Sequence, residues 1–348
     1  VDIVLKGKGG STAKTRSGSK IGSTLHTVLN KGEVYNVVGD ATTKGQFDLT
    51  GSRITANKPI GLISYHERAM LPSNNINGRD FMVEMLPPVS AWGKKYYSIE
   101  LQRANKGDFY RVVAAKANTR VKMKYFDKVT KQLLGQRDIL LSKSGDLYED
   151  FDTWPGTPGA TTGFVGTTAW ESDKPILVMQ YAYSSEWDSG KEFDPFMIVL
   201  TPQEQYLKAT VFQTPVNPAF VNNYFSFIVV GDTSDTNQML LKSIALDGDT
   251  IYKSYSQLLL NNIPGTNLYW GRRDVSQGRH EVTSNALFGG YIYGFGAFNS
   301  YGWPAALATK SLTDLDTLPP VLSFTEECGD YKYLATELRD YGPPPPDS

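Results

Sequence analysis

The chain repeats itself, and that constrains its fold more than any single motif. Laid against its own sequence, Ser52-Arg53-Ile54-Thr55-Ala56-Asn57-Lys58-Pro59-Ile60-Gly61-Leu62-Ile63-Ser64-Tyr65 falls over Thr168-Ala169-Trp170-Glu171-Ser172-Asp173-Lys174-Pro175-Ile176-Leu177-Val178-Met179-Gln180-Tyr181, at an offset of 116 residues. Downstream, Asp80-Phe81-Met82 with Leu86-Pro87 matches Pro195-Phe196-Met197 with Thr201-Pro202 at an offset of 115. Upstream, Lys31-Gly32-Glu33-Val34-Tyr35 matches Ser144-Gly145-Asp146-Leu147-Tyr148 at 113. A third, diverged copy places Ser284 to Tyr293 where the Lys-Pro block stood, and opens on Phe225 to Gly231 as the second opens on Phe109 to Ala115. A tandem repeat must bury one face of each unit against its neighbour.

The local pattern inside the repeat is that of strands. Thr119-Arg120-Val121-Lys122-Met123-Lys124-Tyr125 alternates strictly, which places Val121, Met123 and Tyr125 on one face. Ile60 to Tyr65, Tyr110 to Ala114 and Ile176 to Tyr181 are short runs rich in β-branched or aromatic residues. Turn signals separate them, among them Asn105-Lys106-Gly107-Asp108, Leu246-Asp247-Gly248-Asp249 and Trp154-Pro155-Gly156-Thr157-Pro158-Gly159. Asp247-Gly248 between two strand-like runs reads as a tight hairpin turn. Helical signal is confined to a turn or two at Gln203–Leu207 and Leu307–Leu312.

The expected class is therefore all-β: three tandem β-sandwich-like repeats of about 100–115 residues packed together, then the start of another β module. The expected boundaries are 1–103 for a first repeat that lacks its opening strand, 104–214 for the second and 215–312 for the third. Residues 313–348 form a linker and the start of a further Ig-like module. The chain opens on Val1 and stops at Pro343 to Ser348, and we read it as an excerpt of a longer polypeptide.

Composition closes off several functions. With 35 Lys+Arg against 36 Asp+Glu the net charge is −1, which gives no overall grip on nucleic acid. No apolar run approaches the roughly 20 residues of a membrane-spanning helix. One cysteine, Cys328, and three scattered histidines supply no zinc spacing and no catalytic triad pattern. No cofactor is expected and no metal site. Lys6 to Thr12 is Gly-rich but lacks the Gly-x-x-x-x-Gly-Lys-Ser/Thr spacing of a phosphate loop. Glu149, Asp150 and Asp152, like Glu186 and Asp188, cluster on single loops, whereas glycosidase chemistry needs carboxylates facing each other across a cleft. His66 with Glu67 and Arg68 reads as a solvated loop end. Pro59 and Pro175, each starting a strand, serve structure.

Two sets of residues are candidates for contact. Trp154, Trp187, Tyr269, Trp270, Arg272, Tyr301 and Trp303 are loop aromatics and an arginine of the kind that present flat contact area to glycans or proteins. The competing reading for them is packing between repeats. Thr250 and Thr317, in Asp-Thr-apolar sequences, are candidate O-glycosylation sites.

Gly51-Ser52-Arg53-Ile54-Thr55-Ala56-Asn57-Lys58-Pro59-Ile60, then Val83-Glu84-Met85-Leu86-Pro87-Pro88-Val89-Ser90-Ala91-Trp92-Gly93-Lys94-Lys95-Tyr96-Tyr97, resemble the IgGFc-binding-protein N-terminal domain family. So do Gly290-Tyr291-Ile292-Tyr293-Gly294-Phe295-Gly296 and Ser300-Tyr301-Gly302-Trp303-Pro304-Ala305. The resemblance spans roughly residues 1 to 308. It implies a place in mucus-associated animal proteins or in large surface proteins of bacteria such as the Bacteroidota. Animal members carry cysteines between the Lys-Pro strand and the Leu-Pro-Pro block, where this chain reads His66-Glu67-Arg68-Ala69-Met70-Leu71-Pro72. The better match is thus a bacterial surface module, and immunoglobulin binding does not carry over. The resulting expectation is a non-enzymatic extracellular or cell-surface module for adhesion or structure, whose partner is a protein, a glycan or copies of itself. A self-assembling fibre or sheath subunit is the alternative, and a carbohydrate-active enzyme a more distant one.

Overall fold

A strand belonging to one stretch of sequence completes the sheet of the next, and this happens twice. The computed structural model describes residues 1–7, 13–40, 48–72, 78–102, 107–150, 164–187, 193–232, 234–235, 238–251, 260–312, 321–327 and 330–336. β1 (Asp2–Val4), β2 (Thr24–His26) and β3 (Arg53–Thr55) form a small antiparallel sheet in the order β2-β1-β3, and β4 (Ile63–Ala69) pairs β5 (Asp80–Met85) as a hairpin. Next come β6 (Lys95–Ile99), β7 (Phe109–Ala114), β8 (Thr119–Asp127), β9 (Leu133–Leu141), β10 (Leu147–Asp150), β11 (Gly166–Ser172), β12 (Ile176–Tyr181) and β13 (Met197–Val199). They make two four-stranded sheets, β6-β11-β8-β9 and β10-β7-β12-β13.

The third stretch contains β14 (Leu207–Thr214), β15 (Phe220–Val230), the short α1 (Met239–Lys242), β16 (Ala245–Leu246), β17 (Asp249–Thr250), β18 (Asn261–Asn262), β19 (Leu268–Asp274), β20 (Gly278–Gly296) and β21 (Asn299–Ala306). Its pairing follows that of the second stretch. β14 and β16 flank the start of β20 as β6 and β8 flank β11, and β15 and β21 flank its end as β7 and β13 flank β12. The difference is that one 19-residue strand, β20, replaces the separate β11 and β12. Val1–Lys310 forms one compact unit; β22 (Val321–Glu327) and β23 (Asp330–Thr336) form an antiparallel hairpin in the second unit, Ser311–Ser348.

The hand-over has the same local cause each time. Pro88 (φ −61°, ψ 152°) and Pro202 (φ −66°, ψ 150°) hold extended backbone and each starts a three-residue 3-10 turn, Val89–Ala91 or Gln203–Gln205. Proline fits there because its φ is already set and no N–H is needed. The chain leaves each turn toward the following sheet. Tyr96 and Ser98 of β6 then face the core that contains Trp170, Val121 and Tyr110, whereas Tyr97 and Ile99 face the opposite layer with Ile228, Leu268 and Tyr206. Alternation along the strand therefore cements two layers at once.

Several local expectations hold. β8 buries Val121, Met123 and Tyr125 and exposes Arg120 and Lys122. Asp247 (φ 54°) and Gly248 (φ 87°) form the turn between β16 and β17, the left-handed pair that a tight hairpin requires. Others need correction. Of the two expected helical turns, Gln203–Gln205 is present, but residues 307–312 are irregular because Ala308 and Lys310 are tied by backbone hydrogen bonds to Gln205. His66 lies within β4 and pairs Met82, so it does not end a loop.

A partly buried ion triad joins the first stretch to the second. Arg111 on β7 holds Asp48 at 2.7 Å and Glu149 at 2.7 Å, and lies 5.5 Å above the ring of Tyr181. Burial pushes the Asp48 carboxyl up, but Arg111 and the Thr50 hydrogen bonds outweigh it and hold it below the usual range. Removing the cation strands two carboxylates in a largely dry site. Arg111→Ala is expected to cost about 3–5 kcal/mol, read as a lowered midpoint in guanidinium denaturation of the whole chain.

Candidate binding surface

The hairpin β4–β5 has one mixed face that is covered and one apolar face that is largely exposed. Its register sets Ile63 opposite Met85, Tyr65 opposite Val83 and His66 opposite Met82. Residues directly opposite share a face, so Met82 and Glu84 point one way and Ile63, Tyr65, Phe81, Val83 and Met85 the other. Met82, with Ala69 at the end of β4 and Leu71 just beyond it, is buried against Phe109, Leu177, Met179, Tyr181, Met197 and Val199. The other face is bare. Ile63, Val83 and Met85 are 60%, 47% and 67% exposed, and the Tyr65 and Phe81 rings lie 5.9 Å apart across it. The Tyr65 hydroxyl donates to the side-chain oxygen of Asn36 at 2.9 Å, which holds the ring in place. A contiguous apolar strand face with no cover is a candidate for contact.

The candidate aromatics have mostly been taken up in packing. Tyr301 is buried, donates to Asn223 Oδ1 at 2.6 Å and stacks at 4.6 Å on Trp303, which packs against the same core as Tyr269. Trp270 packs on the layer of Tyr97 and Ile99, with Lys131 Nζ 5.4 Å from its ring centre. Trp187 packs beside Tyr183, their ring centres 6.0 Å apart, against the core under β4–β5. Arg272 is a clasp: it donates to Ser226 Oγ at 3.2 Å, to Gln102 Oε1 at 2.6 Å and to the carbonyl of Glu100. Thr250 is exposed on the edge strand β17, open to modification. Trp154 and Thr317, like Asp152, Asp188 and Cys328, lie outside the described residues.

Around the Arg272 clasp the strand hand-over is sealed by hydroxyls. Tyr291 donates to the Ile99 carbonyl at 2.6 Å and accepts from the Ile99 N–H at 3.1 Å, and Tyr293 accepts from the Gln102 N–H at 3.0 Å. Burial pushes both phenols above their ordinary range. Gln180 Nε2 donates to the Ile99 carbonyl at 2.8 Å and to Asp108 at 2.7 Å. Among the described residues, no group of three or more His, Cys, Asp or Glu is placed to hold a metal, and no helix is long and apolar enough to cross a membrane.

The family described as IgGFc binding protein matches residues 1–294. The chain belongs to that family. It is also 27% identical over 217 residues to the human IgGFc-binding protein, a match that covers 60% of this chain and 4% of the human protein. The chain thus spans a small fraction of that relative's length. No solved structure matches. Membership places the chain among proteins described by what they bind. Sequence reasoning missed the open face of β4–β5: Phe81, Val83 and Met85 alternate with Asp80, Met82 and Glu84, which reads as an apolar face to be covered, whereas the fold buries Met82 and Glu84 instead.

The used face carries its own chemistry. Glu84 accepts from the Val199 N–H at 3.4 Å, and burial drives its carboxyl up to about 8. That is above the unfolded value of 4.5, so from about pH 4.5 to 8 the folded chain holds a proton that the unfolded chain has lost. Stability therefore falls as pH rises through this window, at up to roughly 1.4 kcal/mol per pH unit. Glu84→Gln is expected to flatten this fall, so that denaturation midpoints at pH 5 and pH 8.5 differ less than in the parent chain.

Proposed function

We propose that this chain is a non-enzymatic extracellular binding module, an adhesive or structural part of a larger surface or secreted protein, and that its partner is a protein. The observation that carries the reading is the family match over residues 1–294. The human relative's name describes binding to immunoglobulin Fc, an extracellular protein, which supports the compartment and the class of partner while leaving this chain's own partner open. The structure adds a physical reason to prefer a protein over a glycan. Tyr269, Trp270, Arg272, Tyr301 and Trp303, the residues suited to a sugar platform, are spent on packing, while an apolar strand face stays open.

In this reading residues 1–103, 104–214 and 215–312 are related repeats and 313–348 open a further module, an organisation supported by the recurrent strand order. The cysteine-free stretch from His66 to Pro72 favours a bacterial surface protein. Thr250 is the accessible candidate for O-glycosylation.

The immobilised chain should be offered an array of extracellular proteins, immunoglobulin Fc among them, and a glycan array in parallel. Saturable capture of a protein is expected, with at least a tenfold loss for Val83→Asp and little change in melting temperature, since Val83 is exposed. Capture of glycans alone, or protein capture indifferent to Val83→Asp, would overturn the proposal.

A further inference from the structure

The hairpin face that is covered in the second stretch is open in the first, where the pairing register on β5 runs one residue off the sequence match of Met82 with Met197. Met179, Met197 and Val199 are 9%, 5% and 1% exposed, whereas their counterparts by hairpin register, Ile63, Val83 and Met85, are 60%, 47% and 67% exposed. The registers match position for position: Met179 faces Val199 as Ile63 faces Met85, and Tyr181 faces Met197 as Tyr65 faces Val83. The apolar character is kept where the burial is not.

The strand edges tell the same story. β11 lies between β8 and β6, and β12 between β13 and β7. Their counterparts are half-paired: among the described residues β3 pairs only β1, and β4 pairs only β5. What the first occurrence lacks is a partner like β6 and a partner like β7. Those two strands are consecutive in the chain, so one segment of about 20 residues covers both edges.

We propose that the open edges of β3 and β4 bind a strand–loop–strand segment of the kind seen at residues 95–114, supplied by another repeat of this family. The proposal rests on reading the chain as part of a repeat array, and it deepens that reading by naming the partner of the open site. The register predicts the contacts. A tyrosine in the place of Tyr96 lies opposite Ile54, as Tyr96 lies opposite Trp170. Aromatic and basic residues in the places of Phe109 and Arg111 lie opposite Tyr65 and Ile63, as they lie opposite Tyr181 and Met179. The hairpin that precedes such a segment would lay its Ala69, Leu71 and Met82 equivalents over the bare face, as this chain's hairpin does one repeat later. Backbone pairing supplies affinity, and the alternating side chains supply selectivity. A second folded copy of this chain is not the occupant, because its own β7 is paired on both edges, by β10 and β12, and the edge of β6 that would be needed is already taken by β11.

The test uses the full chain and a labelled synthetic peptide of residues 93–115. Saturable binding by fluorescence anisotropy is expected, with slowed amide hydrogen exchange at Arg53–Thr55 and Ile63–Ala69. A peptide with Ser98→Pro and Val113→Pro should bind at least roughly tenfold more weakly, since the N–H groups at these positions face β11 and β12 and proline removes each of them. Unslowed exchange at both strands, or equal binding by the proline peptide, would overturn the proposal. So would protection of the same amides by self-association of the chain alone, which would make a second copy the occupant. Protein capture that is sensitive to Val83→Asp, without peptide binding, would sink this inference and leave the binding-module reading standing.

Discussion

The two sheets built from β6 to β13 depend on β6 being hydrogen-bonded to β11. A sheet edge that ends in the interior must be paired, because unpaired N–H and C=O groups in a dry place are costly. β6 pays that debt for the second stretch with five residues in register from Lys95↔Glu171 to Ile99↔Thr167. It also separates two cores, since its alternate side chains enter opposite layers. β14 repeats the arrangement along β20. Neighbouring stretches are therefore joined by backbone hydrogen bonds as well as by side-chain contact, which differs from beads on a flexible string.

The polar groups near this junction explain why its register is fixed. Ser98 bonds Tyr110 at 2.7 Å and Thr168 at 2.6 Å inside the core, and Tyr96 donates to the Ile176 carbonyl at 2.5 Å. A slip of one residue would turn Ser98 out of the core and bring Tyr97 into it, leaving hydroxyls without partners. Tyr291, Tyr293, Gln180 and Arg272 then tie down the backbone from Ile99 to Gln102 as it leaves the sheet. Such a network specifies one arrangement because these hydrogen bonds form together only in that arrangement.

Much of the fold could be read from short stretches of sequence, because the deciding interactions there are short-range. The alternation from Thr119 to Tyr125, the Asp247-Gly248 turn and the prolines beside the 3-10 turns each carry their meaning within a few residues. The all-β class followed from these. What escaped was long-range. Nothing in Lys95–Ile99 announces that its partner lies some seventy residues on, and nothing in Gly278–Gly296 announces one 19-residue strand where the second stretch has two. The aromatics show the same limit. Tyr301 and Trp270 sit among polar and glycine neighbours in sequence, as surface residues do, and only the tertiary arrangement places them inside.

The strand hand-over puts the unit of sequence and the unit of folding out of phase by one strand. A segment cut at the end of a sequence repeat carries a strand with no sheet to join, and its neighbour begins with a sheet missing one edge. In the repeat-array reading proposed above, inserting one more copy creates no new defect, because the insert accepts a strand from its predecessor and gives one to its successor. An array built this way can lengthen by duplication at no structural penalty, with its unmatched edges confined to the two ends however many copies lie between.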